Sequence, residues 1–203
     1  MIKKALSKSV MERLPVYLHY LNSASSGDSE YISSTKIATD LNYGEVQVRK
    51  DLASVSGTGK PKVGYVKEEL KKHLQAVLGT TNHTKAIIVG AGKLGRALMS
   101  FDGFEEYGYR IVAAFDQDDN KVDNQKILPL RTIKEYCLKN NILIGIITVP
   151  EKAAQEICQL LIDSGIKGIW NFSQLKLNVP EDVVVKNENM AASLAVLSSK
   201  INL

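Results

Sequence analysis

Apolar residues are spaced in two ways along this chain. In the first two-fifths they recur at helical intervals; after Lys85 they gather into continuous runs. Val10, Leu14, Leu18 and Leu21 fit one helix face. Pro15 sits in that run, so the helix either kinks there or restarts with proline in its first turn. Residues 25–30 (SSGDSE) have loop composition. Ser33 and Ser34 then form a cap, since a serine hydroxyl satisfies a free backbone N–H at a helix start. Ile37, Ala38 and Leu41 give a short apolar face, and Asn42-Tyr43-Gly44 predicts a tight turn. A second short helix is expected from about Glu45 to Val55, burying Val48, Leu52 and Val55 at i, i+4 and i+7. Gly and Pro punctuate Ser56 to Val66, where Val63, Tyr65 and Val66 suit a strand. Lys67 to Leu78 predicts a helix leading out, and residues 79–84 a linker.

From Lys85 the pattern is α/β. Ile87-Ile88-Val89 reads as a buried strand, and further strands are expected at 110–115, 127–130, 142–149, 166–171 and 183–185. Helical stretches separate most of them. Continuous apolar strands alternating with helices imply a parallel sheet covered on both faces. Residues 187–203 are amphipathic, with Met190, Leu194 and Leu197 on one face. The expected organisation is an N-terminal winged helix (1–78), a linker (79–84), a Rossmann-type domain (85–186) and a C-terminal helix (187–203).

Charge sharpens the first half. Residues 1–78 hold 12 Lys/Arg against 8 Asp/Glu, whereas the remainder holds 14 of each. The whole excess of +4 therefore lies in the N-terminal part, which suggests a polyanionic partner. Two short helices joined by a Gly-containing turn, the second displaying Gln47, Arg49 and Lys50, read as a helix-turn-helix suited to the DNA major groove. Lys60 and Lys62 would lie at the tip of a basic wing, in reach of phosphates or the minor groove. The plainer alternative is a pair of packing helices with a solvated basic face.

Other classes fall away. Cys137 and Cys158 sit in apolar, helix-like contexts without CxxC or a neighbouring His, so neither a disulfide framework nor a zinc site is expected, and a reducing cytoplasm fits. The longest apolar run, Ile142 to Val149, is far short of the roughly 20 residues a membrane span needs. The basic start lacks the apolar stretch of a secretory signal.

The strongest local motif is Gly90-Ala91-Gly92-Lys93-Leu94-Gly95, which follows a strand and opens a helix. In that context the first glycine permits the tight turn, the second admits a pyrophosphate to the backbone, and the third lets helix pack on strand. The helix start offers N–H groups to phosphates. Asp116 ends the next strand 21 residues past Gly95, as a ribose-binding acid should. Gln117, Asp118 and Asp119 follow with no Arg nearby, so a 2′-phosphate would meet negative charge and NAD(H) is expected. Thr148-Val149-Pro150 and Asn171-Phe172-Ser173 end strands at the crevice where such sheets bind ligands. A glycine-rich turn without a cofactor is the alternative. His19, His73 and His83 all precede the first strand of the sheet, and no acid–base pair or nucleophile is evident. The cofactor thus reads as a signal rather than a substrate, with a small NAD-dependent oxidoreductase as the competing view.

Taken together, these residues resemble the Rex family of bacterial redox-sensing repressors over nearly the whole chain. The likeness rests on Arg13-Leu14-Pro15, the Ser33-Ser34 cap, Gln47-Val48-Arg49-Lys50-Asp51-Leu52, Gly59-Lys60 with Val63-Gly64-Tyr65, the glycine motif through Leu98, Ala114-Phe115-Asp116, Val149-Pro150, Ala154-Gln155, Gly165 to Ile169, Asn171-Phe172 and Val179-Pro180. The resemblance implies a homodimer that exchanges its C-terminal helix, binds inverted-repeat operators, and is released by NADH but not NAD⁺. It also implies that Phe172 lies near the nicotinamide and that Gln47, Arg49, Lys50 and Lys60 touch DNA. Three departures stand out. Phe101 replaces a frequent Tyr, Asn189 replaces a frequent Asp able to pair with Arg13, and Pro61-Lys62 replaces a basic residue followed by Gly. The first two touch the coupling between cofactor and DNA, so a DNA-binding repressor with a weakened NADH response is a further alternative.

Overall fold

Helix α1 (Lys8–Asn22) begins where the Ser7 hydroxyl accepts the Val10 N–H at 3.4 Å. It continues through Pro15 as one helix. Proline removes one backbone hydrogen bond, so burial of Leu14, Tyr17, Leu18 and Leu21 must hold the helix together across the gap. The structure, a computed structural model, describes residues 6–23, 27–79, 84–123 and 125–201. It divides into two units, Met1–His83 with Glu105–Gly108, and Thr84–Phe104 with Tyr109–Leu203.

In the first unit, a two-residue strand β1 (Tyr31–Ile32) precedes α2 (Ser34–Asp40). The Ser33 hydroxyl caps α2 by accepting from the Lys36 N–H at 3.1 Å. Asn42 takes a left-handed φ of 54° in the turn to α3 (Glu45–Ser56). Strand β2 (Tyr65–Val66) pairs antiparallel with β1, and α4 (Lys67–Leu78) ends at Gly79 in the left-handed conformation. Ile37, Val48, Leu52, Leu70 and Leu74 join the buried face of α1 in one core. The wing is shorter than its sequence suggests. Val63 is not in the strand: its N–H donates to the Lys60 carbonyl at 3.2 Å, Lys62 adopts φ 63°, and the Val63 side chain is exposed. A turn this tight leaves only the Lys60–Gly64 bridge to pair across it.

The second unit runs β3 (Thr84–Val89), α5 (Lys93–Met99), β4 (Tyr109–Asp116), β5 (Ile127–Pro129), α7 (Ile133–Asn140), β6 (Ile144–Ile147), α8 (Glu151–Asp163), β7 (Gly168–Asn171) and β8 (Val184–Asn187), while the short helix α6 (Gly103–Glu106) is divided between the two units after Phe104. Its six strands are ordered β5-β4-β3-β6-β7-β8, and every pair is parallel. That is the order of a doubly wound dinucleotide fold, with the direction of winding reversing between β3 and β6. Alternate residues of each strand enter opposite layers. Ile87, Phe115, Ile147 and Leu161 fill one, while Ala86, Ile88, Ala114 and Ile146 fill the other. Cys137 and Cys158 are buried free thiols in the first layer; burial pushes both thiol pKa values up, that of Cys137 to about 11.

Several boundaries differ from the expected ones. Ile142 and Ile166 are buried but precede β6 and β7, because an entering loop can bury an apolar side chain without joining the ladder. Asn187 closes β8 rather than opening the last helix. Helix α9 (Met190–Ile201) starts after Asn189, whose side-chain oxygen accepts from the Ala192 N–H at 2.9 Å. Its apolar residues Met190, Leu194, Val196, Leu197 and Ile201 are all exposed. No described helix is long and apolar enough to cross a membrane. Residues 80–83 of the expected linker and 25–26 of the expected loop lie outside the described residues.

Candidate nucleotide cleft and nucleic-acid interface

The loop between β3 and α5 is built by close approach. Gly90 has φ 107°, a conformation that L side chains resist, and its N–H donates to the Phe115 carbonyl at 2.8 Å. A Cβ on Gly95 would sit 1.9 Å from the Gly90 carbonyl oxygen, so only glycine lets α5 pack this tightly on the loop. At Gly92, by contrast, a Cβ would meet nothing within 4 Å. The open space there is where a phosphate chain needs bare backbone, and no side chain caps the start of α5. The Thr148 hydroxyl donates toward the Gly90 carbonyl at 2.7 Å and lies 3.1 Å from that of Val89, tying the end of β6 to the loop at the switch point.

A cleft of about 470 Å³ opens beside this loop. Gly90, Gly92, Asp116, Gln117, Lys121, Leu130, Thr148, Val149, Pro150, Ala153 and Ile157 line it, together with Val89 and Phe115. The structure thus brings together most of the expected cofactor residues. Ala91 contributes through its backbone: its N–H donates to Asp116 Oδ2 at 2.7 Å. Lys93 and Leu94 belong to the first turn of α5 but are not among the lining residues. Phe172 also lies off the cleft wall. It is tilted against Trp170 at 4.6 Å, in a row that continues through Phe104 to Phe101, whose own ring is largely exposed.

Asp116 is buried at 6% exposure, yet it is well supplied with donors. The Asp118 N–H reaches Oδ1 at 2.9 Å, and Lys121 Nζ lies 3.3 and 3.2 Å from the two oxygens. Burial pushes the carboxyl pKa up, but the backbone donors and Lys121 outweigh it and hold the acid below its ordinary range. Lys121 corrects the expected charge at this end of the cleft. It also stands 3.8 Å from Asp118, and Arg131 pairs with Asp119 at 3.1 Å. The acids after β4 are therefore accompanied by cations that the spacing argument overlooked. The signal was a lysine five residues past the acid, in the short 3₁₀ turn Asp119–Lys121.

In the first unit, α3 buries Val48, Asp51 and Leu52 and exposes Gln47, Arg49 and Lys50. Ser33 and Ser34 begin α2, and Lys60 and Lys62 stand exposed on the wing turn. Arg13 finds a partner that the sequence did not suggest. Its Nε and Nη2 donate to the two oxygens of buried Asp51 at 2.7 and 2.9 Å, and the Tyr17 hydroxyl adds a third bond at 2.8 Å. The bond to Asp51 raises the Arg13 pKa further; burial first, then Asp51, raises that of Tyr17. Asn189, expected to replace an acid partner of Arg13, is the cap of α9. Among the described residues no three His, Cys, Asp or Glu side chains gather as a metal would require.

Comparison with known proteins covers both units. A family model described as CoA binding domain matches residues 81–175, and one described as Putative DNA-binding protein N-terminus matches residues 5–53. A redox-sensing transcriptional repressor Rex of Caldicellulosiruptor saccharolyticus is 40% identical, the match spanning 98% of this chain and 93% of the relative. A crystal structure of RSP in complex with beta-NAD+ and operator DNA superposes with a TM-score of 0.87 at 32% identity, covering 98% of this chain and 94% of that one. RSP in complex with beta-NADH gives a TM-score of 0.82 at 32% identity, with 98% and 95% covered.

Proposed function

The chain belongs to the Rex family of redox-sensing transcriptional repressors, and we propose that it binds inverted-repeat operator DNA and lets go when NADH displaces NAD⁺. The observation that carries this reading is its full-length likeness to RSP, a repressor crystallised with beta-NAD+ on operator DNA and also with beta-NADH. The cleft beside Gly90–Gly95 fits the cofactor, since it combines bare backbone at Gly92 with a buried acid at Asp116. Gly90, Ala91, Gly92, Lys93, Leu94 and Gly95 take the pyrophosphate side, Asp116 the ribose, and Thr148, Val149, Pro150 and Phe172 the nicotinamide end. Ser33, Ser34, Gln47, Arg49, Lys50, Lys60 and Lys62 take the DNA. The cofactor is read rather than consumed: no histidine follows β3, and the named relatives are repressors. The exposed apolar face of α9 suits a second copy of the chain in a cytoplasmic homodimer, and such a dimer suits a two-fold operator.

NADH shifts the equilibrium only by binding the DNA-free form more tightly than the DNA-bound one. Fluorescence anisotropy on an inverted-repeat operator, at fixed salt, tests this with each nucleotide in turn. Release by NADH alone supports the reading; indifference to both nucleotides removes the sensing half. One observation favours a damped response. Arg13 has its anion in Asp51, and Asn189 carries no charge to compete for it. Because Asp caps a helix as well as Asn does, Asn189→Asp preserves α9, and it should sharpen NADH-driven release. An unchanged NADH midpoint would remove this second reading.

A further inference from the structure

Helix α3 presents one large apolar side chain in the middle of its outward face. The helix buries Val48, Asp51 and Leu52, and Val55 packs on the same core. At roughly 100° per residue, Val46 falls on the opposite side of the helix, with Arg49 and Lys50 to either side of it. These two stand three and four places further on, so they neighbour Val46 on the helix surface. All three are exposed, Val46 at 53%. The helix start leaves that valine uncovered. Gly44, the N-cap, has no side chain. Glu45 is engaged with α2, its Oε1 accepting from the Thr35 hydroxyl at 3.0 Å. Val46 is therefore the first side chain of α3 on the face that carries the two cations.

The cations suit this face to a polyanion, and the valine narrows what it reads. In a helix that enters the major groove, the N-terminal residues are those that reach base edges. Adenine, guanine and cytosine present hydrogen-bonding groups there, which a valine would desolvate and leave unpaired. Thymine alone adds an apolar group, its C5-methyl. We infer that Val46 is a specificity-determining residue that packs on the methyl of one thymine in each operator half-site, while Arg49 and Lys50 hold the helix in the groove. A lone exposed valine is common on protein surfaces. What sets this one apart is its place between two cations in the first turn of the helix. The inference rests on the DNA-binding reading of α3 and adds a base choice that this reading does not contain.

Fluorescence anisotropy at fixed salt reads the contact directly, on inverted-repeat operator duplexes in which each thymine in turn is replaced by uracil. Uracil lacks the methyl and keeps every hydrogen-bonding group. The intact protein should lose about fourfold in affinity at one thymine of a half-site, the contribution of one buried methyl group. Replacing that thymine in both half-sites should cost about the square of the single loss, because distant positions add. Val46→Ser, at an exposed position, leaves the core intact and offers no methyl. It should weaken binding to the thymine duplex by a similar factor, and it should no longer distinguish thymine from uracil at that position. A structural role for Val46 would weaken binding to both duplexes equally and leave the uracil penalty in place; that result overturns the inference. So does an intact protein that is indifferent to uracil at every thymine, or a Val46→Ser variant with full affinity. A chain that binds no unmodified duplex overturns the functional reading instead, and this inference with it.

Discussion

Asp51 in the winged helix and Asp116 in the Rossmann unit are almost equally inaccessible, at 4% and 6% exposure, yet they are satisfied in opposite ways. Asp51 is closed off by side chains of its own unit. Arg13 grips it with two bonds and Tyr17 with a third, and the arginine side chain is itself only 19% exposed. Asp116 takes its fixed bonds from the backbone of Ala91 and Asp118, and its one side-chain donor, Lys121, is 38% exposed and held at longer distances. The first arrangement fixes the geometry of α3. The second leaves a part-exposed side-chain donor on the cleft wall. A buried acid with only internal donors is a piece of scaffold, whereas one whose side-chain donor is part-exposed at a cleft wall can exchange that donor for a ligand.

The largest effect should come from opening the closed site. Arg13→Met leaves Asp51 buried without its cation and should cost about 3–5 kcal/mol, read in denaturant unfolding of the full chain. Adding Asp51→Asn should restore much of that loss, and failure to do so would mean that packing, not charge, holds the pair. Gly95→Ala comes next. Its new Cβ collides with the Gly90 carbonyl, so it should cost about 3 kcal/mol of stability, as overpacking does, and abolish NADH binding in a fluorescence titration. Normal affinity would show that the loop can shift without loss of function.

Lys121→Met addresses the part-exposed donor. With Lys121 gone, Asp116 has a lone pair on each oxygen for ribose hydroxyls, and NADH affinity should rise roughly fivefold relative to NADPH. The pH dependence follows from the same residue. Because the folded pKa of Asp116 is depressed, its contribution is present above the ordinary carboxylate value of about 3.9 and is lost as pH falls through the lower folded value. The substitution should move that loss to higher pH in a series of acid titrations; an unmoved acid limb would show that the backbone donors suffice. The smallest effect is expected in the wing. Lys62 holds a left-handed φ of 63°, so Lys62→Gly should change stability by no more than about 1 kcal/mol. It should also lower the slope of log affinity against log salt by about 0.9 if the lysine contacts one phosphate.

Much of the architecture was legible because it depends on local spacing. The glycine motif, its strand and helix, and the acid 21 residues further on are read from neighbours in the chain, and they meet at one cleft wall. The helix-turn-helix is equally local, with Val48 and Leu52 buried where the period puts them. What escaped lay between residues distant in sequence or in unusual backbone. Arg13 and Asp51 are 38 positions apart, so no pattern links them. Pro15 looked like a possible helix start because propensity is local, whereas the burial that carries α1 past it is not. Val63 looked like a strand residue, yet the turn at Lys62 diverts it.

The sequence by itself determined the periodic elements, the parallel sheet, the position of the glycine loop and the excess of positive charge in the first half. These follow from side-chain period, steric freedom at glycine and simple composition, all of which act over short separations. Only the tertiary structure decided the partners. Asp51 is the anion on Arg13, Lys121 lies against Asp116, and Phe172 stands with Trp170 off the cleft wall. Hydrogen bonds and ion pairs depend on distances of a few ångströms between groups that the chain brings together only when the core closes. Residue identity sets which bonds are available; packing chooses among them.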